Sequence, residues 1–305
     1  MDEKILESNT RDFIGYGKDV PHIEWPDGAR LALTFAINYE AGGERSVIYG
    51  DDGPETYGEF ASYGTPPRRD LGIESVFEYE TRVAIWRILN LLDNHRAKVT
   101  FFATAKTLEA NPIAAKEIVK RGHEVCSHGY RWLEHYTLSK SEERQVIRNA
   151  VKIITDLTGT RPLGWYCREP SVNTIELLMQ EGGFLYDSDV YNDDLPYFVH
   201  SEQDEKKKLL LIPYTPDVND FHYFSNRFAN AEEFFTYLKD SFDVLYEESA
   251  TNPKMMNVGI HVRISGRAGR SIALERFLKY VETKKDVWLT RRVDIARWWI
   301  DHYSV

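Results

Sequence analysis

Short apolar runs alternate along the chain with longer segments in which apolar residues recur at helical spacing. Residues 31–37 are almost wholly apolar, which is typical of a strand buried on both faces. Residues 82–92 have the spacing of an amphipathic helix. Further strands are predicted at 98–103, 124–128, 163–166, 184–188, 209–212, 256–261 and 287–289, and further helices at 112–120, 139–159, 172–181, 231–248, 273–282 and 292–299. Strand and helix alternate about seven times, which indicates a parallel sheet closed or nearly closed into a barrel.

Unusual polar side chains follow several of the predicted strands at the point where each strand ends. In parallel α/β barrels the chemistry gathers at the carboxyl ends of the strands, because the loops there meet at one mouth. The residues in question are Asn38, Glu40, His128, Tyr166, Asp189 and His261. The sequence therefore predicts an active site at this end of the sheet.

The length of 305 residues allows one large domain or two small ones, and 42% hydrophobic residues suffice for a sizeable core. We interpret residues 1–305 as one barrel domain with an amino-terminal extension over about residues 1–28. The formal net charge of −10 disfavours nucleic acid and anionic membranes as partners, because both require a positive surface.

Targeting signals and cysteine usage indicate where the protein works. The chain opens without a basic region followed by an apolar one, and no apolar run is long enough for a membrane helix. Cys126 and Cys167 are expected to be reduced, half-buried thiols. We therefore expect a soluble, cytoplasmic protein.

Glu40 is the first carboxylate after the apolar run of the first strand. Burial among strand ends would raise its pKa toward neutrality, so Glu40 is a candidate general base or substrate anchor. Alternatively, Glu40 caps a helix or pairs with an arginine such as Arg45. His128 and His261 are the other candidate catalytic residues, and Arg263 is either an oxyanion or carboxylate ligand or a structural ion-pair partner.

Several segments together resemble the polysaccharide deacetylase (NodB-homology) superfamily, and especially its branch of bacterial allantoinases and cyclic imidases. They include the run Ser-His-Gly-Tyr-Arg-Trp at 127–132, and the full set is 11–17, 38–45, 122–132, 182–189, 193–197 and 291–296. The resemblance implies a distorted (β/α) barrel with about seven parallel strands. By the same analogy, we expect a homo-oligomer, a tetramer.

The resemblance also bears on a metal site. Metal-dependent members have a base aspartate and a metal-binding aspartate after the first strand, and two histidines four residues apart. The corresponding residues here are Asn38, Glu40, His128 and Trp132. Glu40 and His128 alone are too few for catalytic zinc, which normally takes three protein ligands, and Asn38 cannot act as a base. The similarity to the metal-independent branch therefore implies that no cofactor is needed.

A cyclic amide is the substrate that this interpretation favours, because its ring nitrogen leaves more readily than the nitrogen of a sugar acetamide. Positioned water, a carboxylate or histidine base and hydrogen-bond donors would open such a ring. Trp132 either stacks on the planar ring or fills the volume of the missing histidine. Arg168 departs from the allantoinase pattern, which leaves allantoin itself open. The predicted substrate-binding residues are Asn38, Trp132, Tyr166, Arg168, Asp189 and Arg263.

Two other functions stay open at this level. The first is a deacetylase of N-acetylated amino sugars from chitin or peptidoglycan, with zinc held by Glu40, His128 and a further ligand such as His135. Asn38, Trp132 and the absence of an export signal disfavour it. The second is a catalytically silent barrel that binds a small ligand, which the joint presence of Glu40, His128 and His261 disfavours.

Overall fold

A mostly parallel sheet curls into a half-barrel in the computed structural model, which describes residues 11–58, 68–225 and 227–303. Its strands are β1 (Leu31–Tyr39), β2 (Thr100–Ala103), β3 (Glu124–Ser127), β4 (Gly164–Trp165), β5 (Tyr186–Asp187), β6 (Tyr197–His200), β7 (Lys208–Leu211), β8 (Lys254–His261) and β9 (Val287–Leu289). They lie in the order β6-β7-β5-β4-β3-β2-β1-β8, and β9 pairs with β1. The predicted α/β barrel class is confirmed.

The helices pack around this sheet. They are α1 (Leu71–Tyr79), α2 (Ile85–Asn94), α3 (Ala105–Ala110), α4 (Pro112–Lys120), α5 (Lys140–Thr158), α6 (Thr174–Glu181), α7 (Ala231–Glu248), α8 (Val262–Ser265), α9 (Ala268–Val281) and α10 (Arg292–Tyr303). A π-helical turn, Glu80–Ala84, joins α1 to α2. The capping box predicted before α5 is present, since Ser139 and Glu142 hydrogen-bond each other's backbone N–H.

β1 pairs with three other strands, and all nine of its residues are buried. β8 pairs along one side of it, while β9 pairs with its start and β2 with its end. Apolar side chains on both faces of β1 therefore enter the core, which explains why its sequence shows no polar alternation.

The strand β6 differs from the prediction. It runs antiparallel to β7 at the edge of the sheet, where no strand was predicted. Its residues are only partly buried, because an edge strand covers less of the core. A half-exposed strand of four residues lacks the continuous apolar run by which the buried strands were found.

The parallel register brings the strand ends together. Asn38 pairs with His261, Tyr39 with Ala103, and Ala103 with Ser127, which directly precedes His128. The side chains that follow β1, β3 and β8 therefore share one end of the half-barrel, as expected.

Residues 23–25 of the predicted amino-terminal extension pack at the opposite end of the sheet, where β8 begins. Ile23 and Trp25 are buried, and the Trp25 indole N–H donates to the carbonyl of Lys254 at 2.9 Å. Residues 1–10 of this extension lie outside the described residues. Among the described helices, none combines the length and the hydropathy needed to cross a membrane.

Candidate active site

Glu40 lies at the centre of this end of the half-barrel and is only 1% exposed. Its Oε1 lies 3.1 Å from Nε2 of His128 and 4.0 Å from Nε2 of His261. Its Oε2 accepts a hydrogen bond from the guanidinium of Arg263. The three predicted catalytic residues therefore meet at one carboxylate, and Arg263 joins them.

The charge state of Glu40 corrects one expectation. Burial by itself does raise the pKa of Glu40, but Arg263, His261 and His128 together hold that pKa well below its usual range. Glu40 is thus an ionised hydrogen-bond acceptor and not a carboxyl group poised to exchange a proton. It does pair with an arginine, but the partner is Arg263, whereas Arg45 contacts Glu134.

His261 is oriented by a carboxylate that the sequence analysis did not identify. Asp220 opens a 3-10 helix, Asp220–Tyr223, and its Oδ1 lies 2.8 Å from Nδ1 of His261. Asp220 also accepts the backbone N–H of His261 and the hydroxyl of Ser265 at 2.6 Å. If Nδ1–H of His261 donates to Asp220, Nε2 carries the lone pair and faces Glu40. This is the arrangement of a histidine base held by a carboxylate.

His128 is buried between Glu40 and the aromatic ring of Tyr166. Because Glu40 is ionised, Nε2–H of His128 donates to it, and Nδ1 has no hydrogen-bond partner among the described residues. The ring centroid lies 4.9 Å from that of Tyr166, which stacks on Phe102 at 4.8 Å. Tyr166, predicted to bind substrate, therefore lies beside His128.

Asn38 is buried, and its side-chain amide nitrogen donates two hydrogen bonds. Its side-chain amide donates to the hydroxyl of Tyr214 at 3.1 Å and to the carbonyl of Ile260 at 3.2 Å. Tyr214 also accepts from the Asn219 side chain at 2.8 Å. Asn38 thus helps to hold the segment before Asp220 against β8, and its predicted contact with substrate stays a prediction.

Glu80 is a second buried carboxyl group next to Glu40. Its Oε1 accepts the backbone N–H of Glu40 at 2.6 Å and that of Ala41 at 3.3 Å. Its Oε2 lies 3.9 Å from Nη1 of Arg263. Burial raises the pKa of Glu80 to about 8, against the opposing effect of Arg263.

Trp132 packs between aromatic and cationic groups and is 7% exposed. It clusters with Phe77, and the guanidinium carbons of Arg168 and Arg263 lie 4.1 and 4.9 Å from its ring centroid. Little of the Trp132 ring is exposed to solvent. Arg168 lies against it, so a planar ligand could take that place on the ring only if Arg168 moved. The predicted stacking role stays a prediction, and the alternative packing role is visible.

Residues 41–58 form a loop that covers the site. The backbone N–H of Trp132 donates to the carbonyl of Gly43 at 2.9 Å, and the Arg168 guanidinium donates to the Glu55 carboxylate at 3.1 Å. Arg168, predicted to bind substrate, also lies 3.3 Å from Glu134. Arg168 therefore ties the loop to the barrel, and its contact with substrate stays a prediction.

Asp189 lies past β5 and does not reach Glu40 through any recorded contact. Its Oδ1 accepts the Cys167 N–H at 2.8 Å and its Oδ2 lies 3.3 Å from the Cys167 thiol. Burial raises the pKa of Asp189. Cys126 and Cys167 are free thiols, as expected, but both are fully buried.

The residues around Glu40 do not fit the zinc centre of metal-dependent deacetylases. Within residues 11–58, 68–225 and 227–303, no group of three or more histidine, cysteine, aspartate or glutamate side chains is arranged to hold a metal ion. His135 is the third ligand considered for the alternative function. Its Nδ1 instead lies 3.4 Å from Oε1 of Glu143. The cation that pairs with Glu40 is the guanidinium of Arg263.

Asp220 and Glu80 were missed for different reasons. Asp220 lies nine residues past the end of β7, too far to be found by inspecting strand ends. Glu80 had a visible signal, because Ile73, Phe77, Glu80 and Ala84 follow one another at helical spacing and all are buried. A glutamate on an apolar helical stripe could have indicated a function for that side chain.

Comparisons with known proteins point to one family. The sequence model of the polysaccharide deacetylase family matches residues 69–175. A putative polysaccharide deacetylase from Schizosaccharomyces pombe is 38% identical over 95% of this chain and 97% of its own length. The crystal structure of a probable polysaccharide deacetylase from Pseudomonas aeruginosa PAO1 is 46% identical, with a TM-score of 0.93 over 97% of this chain and 100% of that one. That of Puue allantoinase is 44% identical, with a TM-score of 0.91 over 97% of this chain and 99% of that one.

Proposed function

The chain belongs to the polysaccharide deacetylase family of hydrolases, and from this premise we propose that it opens the ring of a cyclic amide without a metal ion. The substrate class is an allantoin-like ureide or a cyclic imide. The similarity to Puue allantoinase supports this proposal, since it extends over nearly the whole of both chains.

The observation that carries the proposal is the ion pair between Arg263 and Glu40. Both side chains are buried, and Glu40 occupies the position of a metal-binding aspartate in metal-dependent relatives. A buried carboxylate must be neutralised by a neighbouring cation. Arg263 supplies that cation, so Glu40 needs no metal ion to remain ionised.

His261 is the proposed general base. In the hydrolysis, a water oxygen bonds to the ring carbonyl carbon while Nε2 of His261 accepts the proton from that water. Asp220, 2.8 Å from Nδ1, stabilises the imidazolium that forms. When the carbon–nitrogen bond breaks, His261 returns the proton to the leaving nitrogen, and the product carries a new carboxyl group.

Glu40 and His128 position the reactants in this mechanism. The Glu40 carboxylate accepts from His128, and its charge stabilises a protonated His261 at 4.0 Å. The guanidinium of Arg263 provides the positive field that a developing oxyanion beside this pair requires. These roles suit a ring carbonyl more electrophilic than that of a sugar acetamide, because the proposed mechanism uses no Lewis acid.

The test is a substrate panel assayed with and without a chelator. We expect turnover of at least one of hydantoin, succinimide and allantoin that survives chelation, no release of acetate from an N-acetylglucosamine oligomer, and less than stoichiometric metal in the active protein. Stoichiometric zinc together with chelator-sensitive acetate release would overturn the proposal in favour of the deacetylase.

A matched pair of histidine variants controls for folding. His128 and His123 flank β3 at its two ends, and both are buried. We expect His128→Ala to lose turnover and His123→Ala to keep it at temperatures where both are folded. Equal activity of the two variants would remove His128 from the mechanism.

We further propose four properties of the protein. These are the cytoplasmic location, the homotetramer, the organisation of residues 1–305 as one domain, and the absence of a cofactor.

A further inference from the structure

We propose that Glu80 is a positioning residue for the proposed hydrolysis, since its carboxyl oxygen holds the two peptide N–H groups that set the direction of the Glu40 side chain. This inference rests on the proposed function. It adds a residue to which the proposed mechanism gives no role.

The backbone leaves the sheet at Glu40. β1 ends at Tyr39, so the N–H groups of Glu40 and Ala41 no longer have a strand partner. Both donate to Oε1 of Glu80, at 2.6 and 3.3 Å. The carbonyl of Glu40 is held separately, by the N–H of Gly43 at 2.8 Å. Glu80 therefore holds the backbone N–H of Glu40, the residue whose carboxylate contacts His128 and Arg263.

The helix that carries Glu80 changes its geometry at this residue. Glu80 begins the π-helical turn, in which the N–H of Ile85 bonds the Glu80 carbonyl five residues back. Such a turn inserts one residue, which shifts the facing of all later residues by about 100° relative to a continuous α-helix. As a result, the apolar residues of α1, before Glu80, and those of α2, after Ala84, both face the core.

Within the described part of the chain, the carboxyl group of Glu80 uses only one of its two oxygens as a hydrogen-bond acceptor. Glu80 is 0% exposed, and its Oε2 has no hydrogen-bond partner among the described residues. An unsatisfied buried carboxyl oxygen lowers stability, whereas an apolar side chain at the same position would leave the backbone N–H groups of Glu40 and Ala41 buried without an acceptor. Glu80 therefore fixes the backbone of Glu40 and Ala41 with one oxygen and leaves the other unsatisfied by the residues that the structure describes, and the variants below separate this acceptor role from simple packing.

Three variants separate an acceptor role from a packing role. Glu80→Gln keeps an oxygen at the same place, Glu80→Leu removes it, and Glu80→Asp keeps a carboxyl group but withdraws it by one methylene. At pH 7 we expect kcat to fall about 10²-fold in Glu80→Leu and Glu80→Asp, with KM nearly unchanged, because the misplaced Glu40 acts on the reaction step. Glu80→Gln should restore kcat to near the wild-type value.

Glu124 offers a matched control. It is also buried and accepts a backbone N–H, that of Val293 at 2.9 Å, but it lies at the amino-terminal end of β3, away from Glu40. Glu124→Gln and Glu124→Leu should leave the kcat of folded protein unchanged. If Glu80→Leu does not fold, Glu80→Asp carries the same test.

A second readout separates this inference from the proposed function. The imidazole signals of His128 and His261, observed by NMR, should move in Glu80→Asp, stay in place in Glu80→Gln, and stay in place in both Glu124 variants. If the wild type opens no cyclic amide, the proposed function fails while the NMR comparison still tests Glu80. Unchanged imidazole signals in Glu80→Asp, wild-type kcat in that variant, or equal loss of kcat in Glu80→Gln would overturn the inference.

Discussion

Replacing Asp220 by asparagine tests the proposed mechanism most directly. The carboxylate accepts hydrogen bonds from the backbone and Nδ1 of His261 and from the backbone and hydroxyl of Ser265. Asparagine keeps one oxygen but presents an amide N–H where the other oxygen was. If that N–H points at Nδ1 of His261, the imidazole must carry its proton on Nε2, where the lone pair is needed.

The size of the effect follows from these contacts. A hydrogen bond to a charged group contributes about 1.5–3 kcal/mol, and the imidazolium formed during the reaction loses its carboxylate as well. Asp220→Asn should therefore raise the activation free energy by about 4–5 kcal/mol, which corresponds to a decrease in kcat of about 10³–10⁴-fold. The analogous substitution in serine proteases lowers kcat by about 10⁴-fold.

The assay measures kcat, KM and thermal midpoint for Asp220→Asn beside a control in the same loop. Asp217 lies three residues earlier, is exposed, and accepts from the Tyr237 hydroxyl at 2.7 Å. Asp217→Asn should keep wild-type kcat, while folded Asp220→Asn should lose it with a smaller change in KM. A folded Asp220→Asn protein with wild-type kcat would refute the assignment of His261 as a base oriented by Asp220.

Three further changes have defined outcomes. Glu40→Gln should abolish turnover and lower the free energy of unfolding by about 3–5 kcal/mol, because the buried Arg263 loses its carboxylate; chemical denaturation measures this. Gly43→Ala should destabilise the protein by about 1–3 kcal/mol, since its Cβ would lie 2.8 Å from a threonine hydroxyl and 2.9 Å from the Glu40 carbonyl, whereas Gly53 has open space and serves as the control. Glu44→Gln should remove a pH dependence of stability, because burial raises the pKa of Glu44 from 4.5 to about 7.

The sign of the Glu44 effect follows from linkage. The unfolded chain loses the Glu44 proton near its ordinary pKa, while the folded chain keeps it until about pH 7. The folded state thus binds more protons between these values, so stability falls as pH rises through this window and then levels off. Denaturation at pH 5 and pH 8 should show a smaller difference in Glu44→Gln than in the wild type. An equal difference would contradict the raised pKa.

Much of the fold could be predicted because the relevant signals are local. α4 and α7 were predicted with their observed bounds, and the capping box of α5 was found from four residues. Hydrophobic periodicity and capping depend on neighbours in sequence, so they can be read without knowing the fold. The edge strand β6 and the short helices α3 and α8 were not predicted, since none has a sufficiently long periodic pattern. Helix α1 was also missed, although its nine residues include a buried apolar set of Ile73, Val76 and Phe77.

The sequence by itself determined the α/β class and brought Glu40, His128 and His261 to one end of the sheet, because parallel strands present their carboxyl ends on the same side. Only the tertiary structure decided how these residues are charged and held. Arg263 lowers the pKa of Glu40, whereas burial alone predicted the opposite shift. Asp220 and Glu80 reach the site from distant positions in the chain. Electrostatic energy depends on distances between atoms, and such distances between residues far apart in sequence are set only when the chain has folded.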